Sequence, residues 1–291
     1  MKKVSKYLTG NYTPGRRVTI NQLVMHTIEG SVPSADQTFR NPERKASTHD
    51  GIREGEVWLW VHEQDVAWGA GSHAVNEASH NVETEGYARD MNRSALLLNT
   101  IAERMGEVLK DSRYDIPNVW TVGKRPGVKG HGDITPDRRW DPGAMDVGFL
   151  TWSLARQGVL MDWDTFVKLS ATTPYSWRES WLVHYVQRVV GATVDGLYGS
   201  GTAGSVKQYQ TRLGIPADGV WGYATWTAHM RTVKAALDLR YPITAPPLPP
   251  VSDVASRLVA LGKQMSAAHD KIRNLEANKA GVGHGPTHKV S

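Results

Sequence analysis

The segment His131-Gly-Asp-Ile-Thr-Pro-Asp-Arg-Arg-Trp-Asp141-Pro-Gly143 concentrates the groups in this chain that could do chemistry. It is a polar loop, and such a loop can fold back so that His131 and Asp141 converge. A third metal ligand would come from elsewhere, and His26, at the end of the apolar run Leu23-Val-Met, is suitably placed. Two imidazoles and one carboxylate, with a fourth position open to water, form an arrangement for catalytic zinc. The chain has no cysteine, so a zinc site would rest on His and carboxylate ligands, and no disulfide framework exists. Spacing alone leaves the alternative open: a histidine at a strand end more often serves structure, and 11 histidines make chance pairings easy.

These groups need elements to hold them. Arg17–His26 alternates around Val18, Ile20 and Val24 and ends in an apolar pair before His26, the pattern of a buried central strand. Gly55–Val61 predicts a second strand, with Val57, Leu59 and Val61 on one face and Trp58 and Trp60 on the other. Met91, Ala95, Leu98, Ile101 or Ala102, Met105 and Leu109 recur at helical spacing and predict a long amphipathic helix over the sheet. The layer pattern is α/β, a mixed central sheet flanked by helices. Residues 166–177 form a polar connection, and residues 178–236 carry three helical patterns with Asp-Gly turns between them, an all-α unit. Residues 242–250 are a proline-rich spacer. Beyond it Val251, Val254, Leu258, Leu261, Met265, Ala268, Ile272 and Leu275 follow the a/d spacing of a coiled coil. The tail from residue 279 has a disordered composition.

The chain has 291 residues, 40% hydrophobic and 22% charged, enough for one large and one small globular domain. Its net charge of +5 suits nucleic acid, anionic membranes or anionic wall polymers alike. The basic residues are dispersed and no nucleic-acid motif occurs, so nucleic acid is excluded as a partner. No apolar h-region follows the basic N-terminus, and no stretch approaches the roughly 20 apolar residues of a membrane span. The expectation is therefore a protein made in the cytoplasm with no stable membrane association.

Residues His26 to Gly143 resemble the type 2 N-acetylmuramoyl-L-alanine amidases, whose fold is that of the peptidoglycan recognition proteins. The matching pieces are Val24-Met-His-Thr-Ile-Glu-Gly30, Ala46-Ser-Thr-His49 followed by Gly55-Glu-Val-Trp, Asp65-Val-Ala-Trp-Gly-Ala-Gly71, Ser79-His-Asn-Val-Glu-Thr-Glu-Gly86, and His131 through Asp141-Pro-Gly. They occur in the family's order. The resemblance implies His26, His131 and Asp141 as ligands of Zn2+, with Glu83 as general base and Glu85 as its rival. It implies hydrolysis of the amide between N-acetylmuramic acid and L-alanine of the stem peptide. Arg139 stands where the family often has Lys; it stays protonated, so an electrostatic role at the oxyanion suits it better than proton donation. His80 replaces an apolar residue and is read as a core or edge substitution. His49, near the cleft, and Trp68, in the Ala-Trp-x-Ala-Gly turn, are candidate substrate contacts.

Residues 182–230 resemble the peptidoglycan-binding type 1 domain through Val186-Gln-Arg-Val-Val, Thr193-Val-Asp-Gly-Leu-Tyr-Gly199, Thr202 to Gln210, and Ala217-Asp-Gly-Val-Trp-Gly222 with Thr225-Trp226. Tyr198, Trp221 and Trp226 are candidate wall-stacking rings, with domain core as the alternative. The resulting organisation is a zinc amidase domain over 15–165, a peptidoglycan-binding domain over 178–236, the spacer, a coiled-coil helix over 251–278, and the tail. Bacterial peptidoglycan is the implied partner. The heptads of 251–275 offer self-association, with a single docked amphipathic helix as the alternative. The implied role is that of a phage-type endolysin released to the wall; a non-catalytic receptor of the same fold is the alternative function.

Overall fold

The computed structural model describes residues 1–88, 90, 92–134, 141–143, 145–172 and 180–242. Arg139 and everything expected from residue 243 onward (most of the spacer, the heptad helix and the tail) lie outside the described residues. Met1–Arg240 form one compact unit.

The central strand is β3 (Gln22–Thr27), buried at every position as a parallel strand covered on both faces must be. It starts later than the alternation from Arg17 suggests, because its ladder partner starts late: Gln22 pairs with Ser79. The full sheet runs β1 (Lys2–Ser5), β5 (Glu56–Leu59), β4 (Asp50–Arg53), β7 (Ser79–Thr84), β3, β9 (Gly127–Gly130), β8 (Val119–Trp120) and β10 (Asp162–Trp163). From β4 to β10 the strands are parallel, while β5 runs antiparallel to β4 and parallel to β1. A small antiparallel pair, β2 (Tyr12–Thr13) and β6 (Val66–Ala67), stands apart. The sheet is therefore mixed, as expected for an α/β protein.

Helix α1 (Val32–Arg40) packs Val32, Ala35 and Phe39 against Trp60, which lies just past β5. Trp60 fits because Gly51 leaves room: a β-carbon there would sit 2.2 Å from the indole. A short helix, α2 (His73–Ala78), leads into β7. Helix α3 (Ala95–Leu109) begins four residues after Met91, where the pattern started, because the Ser94 side chain accepts from Leu97 N–H and caps it there. Its inner face holds Leu98, Ile101, Ala102, Met105 and Val108, and it packs beside α4 (Val147–Arg156). The same face carries Arg104, paired in bidentate fashion with the buried Asp50 at 2.7 and 3.2 Å. His80 Nε2 joins that carboxylate at 2.6 Å, so His80 serves this buried network and points away from the ligand histidines. Burial opposes the charge on Asp50, yet Arg104 and His80 outweigh it and hold the carboxyl well below the usual carboxylate range.

The C-terminal helices are α5 (Trp181–Val190), α6 (Ser200–Arg212) and α7 (Tyr223–Arg240). Two glutamines organise their turns in the same way. Gln187 donates to Asp195 Oδ1, the Leu197 carbonyl and Thr202 Oγ1, and accepts from Gly196 N–H. Gln210 repeats this with Asp218, Val220, Thr225 and Gly219. The twice-used Asp-Gly turn is thus closed by a side-chain amide from the preceding helix.

Residues 166–172 do more than connect. Leu169 is buried and exchanges backbone hydrogen bonds with Trp221 at 3.0 and 2.9 Å. Trp163 of β10 packs on Trp226, ring centroids 5.3 Å apart, and Trp152 of α4 donates to Asp238 of α7. The helices therefore share a core with the sheet.

Candidate metal centre

His26 is the penultimate residue of β3, and His131 follows directly on β9, the neighbouring strand. Both imidazoles therefore stand at the same end of the sheet. The loop returns Asp141 to them: Gly132 N–H donates to the Asp141 carbonyl at 2.9 Å, and Thr27 Oγ1 donates to the Pro142 carbonyl at 3.3 Å. Gly143, at φ +71°, lets the chain pass against Ala88, where a β-carbon would lie 1.8 Å from the carbonyl oxygen. The glycine two residues after the acid is thus required by the close approach that turns Asp141 inward.

His26 Nδ1, His131 Nδ1 and Asp141 Oδ2 form a triangle with edges of 3.1, 3.5 and 3.4 Å. Among the described residues these three form a group able to hold a metal ion. A tetrahedral ion with bonds of about 2.0–2.1 Å needs ligand atoms about 3.3–3.4 Å apart, so the donor set fits zinc in both chemistry and size. The electrostatics also favour a cation. Burial opposes protonation of His26, but Asp141 and Glu83 outweigh it and raise its pKa. Burial would lift the Asp141 carboxyl, yet hydrogen bonds from His131 and His26 hold it well below the ordinary range.

Around this triangle is a layer of buried polar groups. Asn81 Oδ1 lies 3.1 Å from His26 Nε2 and accepts its proton, which leaves Nδ1 facing the triangle. Asn81 is fixed in turn by its own amide donating to Ser79 Oγ. Arg93 donates to Thr27 Oγ1, Thr84 Oγ1 and the Glu85 carbonyl, and Thr84 Oγ1 donates to the His26 carbonyl. Asn81, Thr27, Thr84 and Arg93 went unnoticed as positioning groups in the sequence, which offers no local signal for contacts made across strands. Glu83 pairs with His26 across the β7–β3 ladder, so its side chain is on the ligand face. Its rival Glu85 is engaged by Arg53 at 3.7 Å.

Several expected contacts are corrected. His49 is fully buried; its Nδ1 accepts from Asn81 N–H and its Nε2 lies 3.3 Å from the Asp65 carbonyl. Both ring nitrogens are committed and no edge faces the cleft, so His49 supports the strand carrying Asn81. Tyr198, Trp221 and Trp226 are core: they are 0%, 0% and 2% exposed. Tyr198 donates to the Gly219 carbonyl, Trp221 stacks with Tyr209, and Trp226 meets Trp163, so no ring face is open to a wall polymer. Trp68 is half-buried and donates to Thr13 Oγ1, while the adjacent Gly69 approaches Asn81 Oδ1.

The parallel strands of this mixed sheet thus bring two imidazoles and a carboxylate together at one end, with a glutamate on the same face. The N-acetylmuramoyl-L-alanine amidase family profile matches residues 15–144, and a peptidoglycan binding domain profile matches residues 179–228. N-acetylmuramoyl-L-alanine amidase A of Achromobacter lyticus is 31% identical over 160 residues, covering 50% of this chain and 85% of that protein. Among solved structures, a selenomethionine AmpD derivative is similar at 22% identity, covering 55% of this chain and 94% of that one, with a TM-score of 0.42. AmiD of E. coli, in complex with anhydro-N-acetylmuramic acid-L-Ala-D-gamma-Glu-L-Lys, is similar at 17% identity, covering 76% and 90%, with a TM-score of 0.40. The chain belongs to the N-acetylmuramoyl-L-alanine amidase family. It is an amidase acting on peptidoglycan.

Proposed function

We propose that this amidase is zinc-dependent and cleaves the bond between the lactyl carbonyl of N-acetylmuramic acid and the nitrogen of L-alanine. The observation that carries the reading is the ligand triangle, whose edges of 3.1, 3.5 and 3.4 Å suit one tetrahedral zinc. His26, His131 and Asp141 would hold the ion, which when bound polarises the scissile carbonyl and acidifies a water. Glu83, across the ladder from His26, accepts the proton of the attacking water. The water oxygen bonds to the carbonyl carbon, the C–N bond breaks, and the L-alanine nitrogen leaves with a proton returned by Glu83. Asn81 keeps His26 in the tautomer that presents Nδ1. Arg139, always charged, is assigned to the developing oxyanion. Trp68 is assigned to the rim that meets substrate.

We further infer an endolysin role, supported by the joining of an amidase segment and a wall-binding segment in one chain. Digestion of purified peptidoglycan with mass analysis of the products tests the reaction. Stem peptides beginning with L-alanine are expected, and they should vanish with a chelator and return with zinc. His131→Ala should lose both zinc and hydrolysis; full activity in that variant, or indifference to chelation, would remove the zinc reading. Expression in bacteria whose inner membrane is then permeabilised should give lysis if the endolysin role holds, and intact cells would sink it.

A further inference from the structure

The turn that carries His131 is held from outside the amidase segment. Gly130, immediately before the ligand, lies against Trp181, the first residue of α5: a β-carbon at Gly130 would be 2.7 Å from Trp181 Cγ and 2.6 Å from Pro142 Cδ. Trp181 is fully buried, and its ring meets Trp120 of β8 edge-on, centroids 5.8 Å apart. Two residues beyond His131, the Asp133 carboxyl accepts from Gly130 N–H at 3.1 Å and is also bonded by the Ser180 hydroxyl and the Trp181 backbone amide. The turn is thus bracketed, with indole on one side and the capped start of α5 on the other. That helix cannot drift. Tyr185 presses its hydroxyl against Gly148 of α4, and the Leu169–Trp221 bridge and the Trp163–Trp226 contact fix the helices that follow.

We propose that Trp181, with Ser180, is a positioning residue for the metal centre: the first helix of the peptidoglycan-binding segment holds the Gly130–Asp133 turn so that His131 meets His26 and Asp141 in ligand geometry. The inference rests on the zinc reading above. Its physical basis is the tolerance of such sites, in which displacements of about half an ångström already degrade a constellation that its neighbours fail to lock. The wall-binding segment is then part of the catalytic apparatus as well as an anchor, because a helix end that is essential to the metal turn cannot swing free on a tether.

The test uses the full chain. Zinc affinity is measured by competition with a chromogenic chelator, and ligand geometry by the visible absorption of the cobalt-substituted protein. Trp181→Ala is expected to weaken zinc binding about 10–100-fold, the range for lost supporting groups, and to alter the cobalt spectrum. Trp181→Phe, which restores a ring against Gly130, should recover most of both. Val206→Ala, a fully buried residue of α6, should lower the melting temperature with zinc affinity and spectrum unchanged. Should Trp181→Ala fail to fold, Ser180→Ala, which removes the hydroxyl that bonds Asp133 and caps α5 at Leu182 N–H while leaving the indole in place, should still weaken zinc measurably. Wild-type affinity and spectrum in Trp181→Ala or Ser180→Ala would overturn the inference, as would an equal loss of zinc in Val206→Ala. A wild-type chain that bound no zinc would instead remove the metal reading on which the inference stands.

Discussion

Replacing Asn81 by Ala isolates the orienting of one ligand. Asn81 is fully buried, and its side chain does two things: Oδ1 accepts from His26 Nε2 at 3.1 Å, and Nδ2 donates to Ser79 Oγ at 3.2 Å. Without it the His26 N–H has no partner in a dry site. An orphaned buried donor costs about 1–3 kcal/mol, which the protein avoids by rotating the ring or adopting the other tautomer. Either response turns Nδ1 away from the triangle. A loss of about 1.4–2.7 kcal/mol in metal binding corresponds to 10–100-fold in affinity, matching the usual effect of removing such a group. Asn81→Asp keeps an acceptor at the same place and should retain zinc, whereas Asn81→Leu, similar in volume without the acceptor, should behave like Ala. Calorimetric zinc titration of chains shown to be folded by circular dichroism is the assay. Wild-type affinity in folded Asn81→Ala would refute the orienting role, and loss in Asp equal to that in Ala would show that packing, not the hydrogen bond, was responsible.

Three further outcomes are expected. Glu83→Gln should lower kcat by about 10²–10⁴-fold with zinc still bound, since it removes the base and leaves the ligands; unchanged kcat would return the role to another group. Gly143→Ala should destabilise the chain and weaken zinc together, because the residue sits at φ +71° with its β-carbon 1.8 Å from the Ala88 carbonyl oxygen; a melting temperature and affinity equal to wild type would contradict the geometry. His184 and His229 are buried and their pKa values are pushed down to about 4, so both stay neutral in the folded chain. Above the unfolded value of about 6.5 neither affects stability; between about 6.5 and 4 the unfolded chain takes up protons the folded one refuses, at a cost approaching about 3 kcal/mol per histidine. Wild type should therefore lose melting temperature faster than His229→Phe as pH falls through that window, other titrating groups cancelling in the difference, and parallel curves would refute this.

The helical part shows how aromatic residues at turns acquire their meaning. His229 is placed between the Tyr185 hydroxyl at 2.6 Å and the Tyr209 hydroxyl at 2.7 Å, so its two ring nitrogens are satisfied as donor and acceptor. Trp221 and Trp226 close around the same imidazole. Large rings bury 150–250 Å² each, and a unit of this size has few other ways to make a core. The pull of that burial outweighs the ability of the same rings to stack on a ligand, and it also draws Trp163 of β10 and Leu169 of the connection into one packed body.

What the sequence determined by itself was local or chemical. The choice of His and carboxylate ligands follows from a chain without cysteine, and the apolar run before His26 marks a buried strand. The Asp-Gly turns and the helical spacing within the C-terminal segment follow from near-neighbour rules. Only the tertiary structure decided which groups meet. The parallel register of β3 with β7 puts Glu83 beside His26 and Asn81 beneath it, and no spacing along the chain encodes that register. The same is true of Trp181 against Gly130, and of the burial of His49, Tyr198, Trp221 and Trp226. Whether a polar or aromatic side chain serves a site or a core depends on which distant segment covers it, and that is settled when the sheet and the helices compete for the same apolar surface.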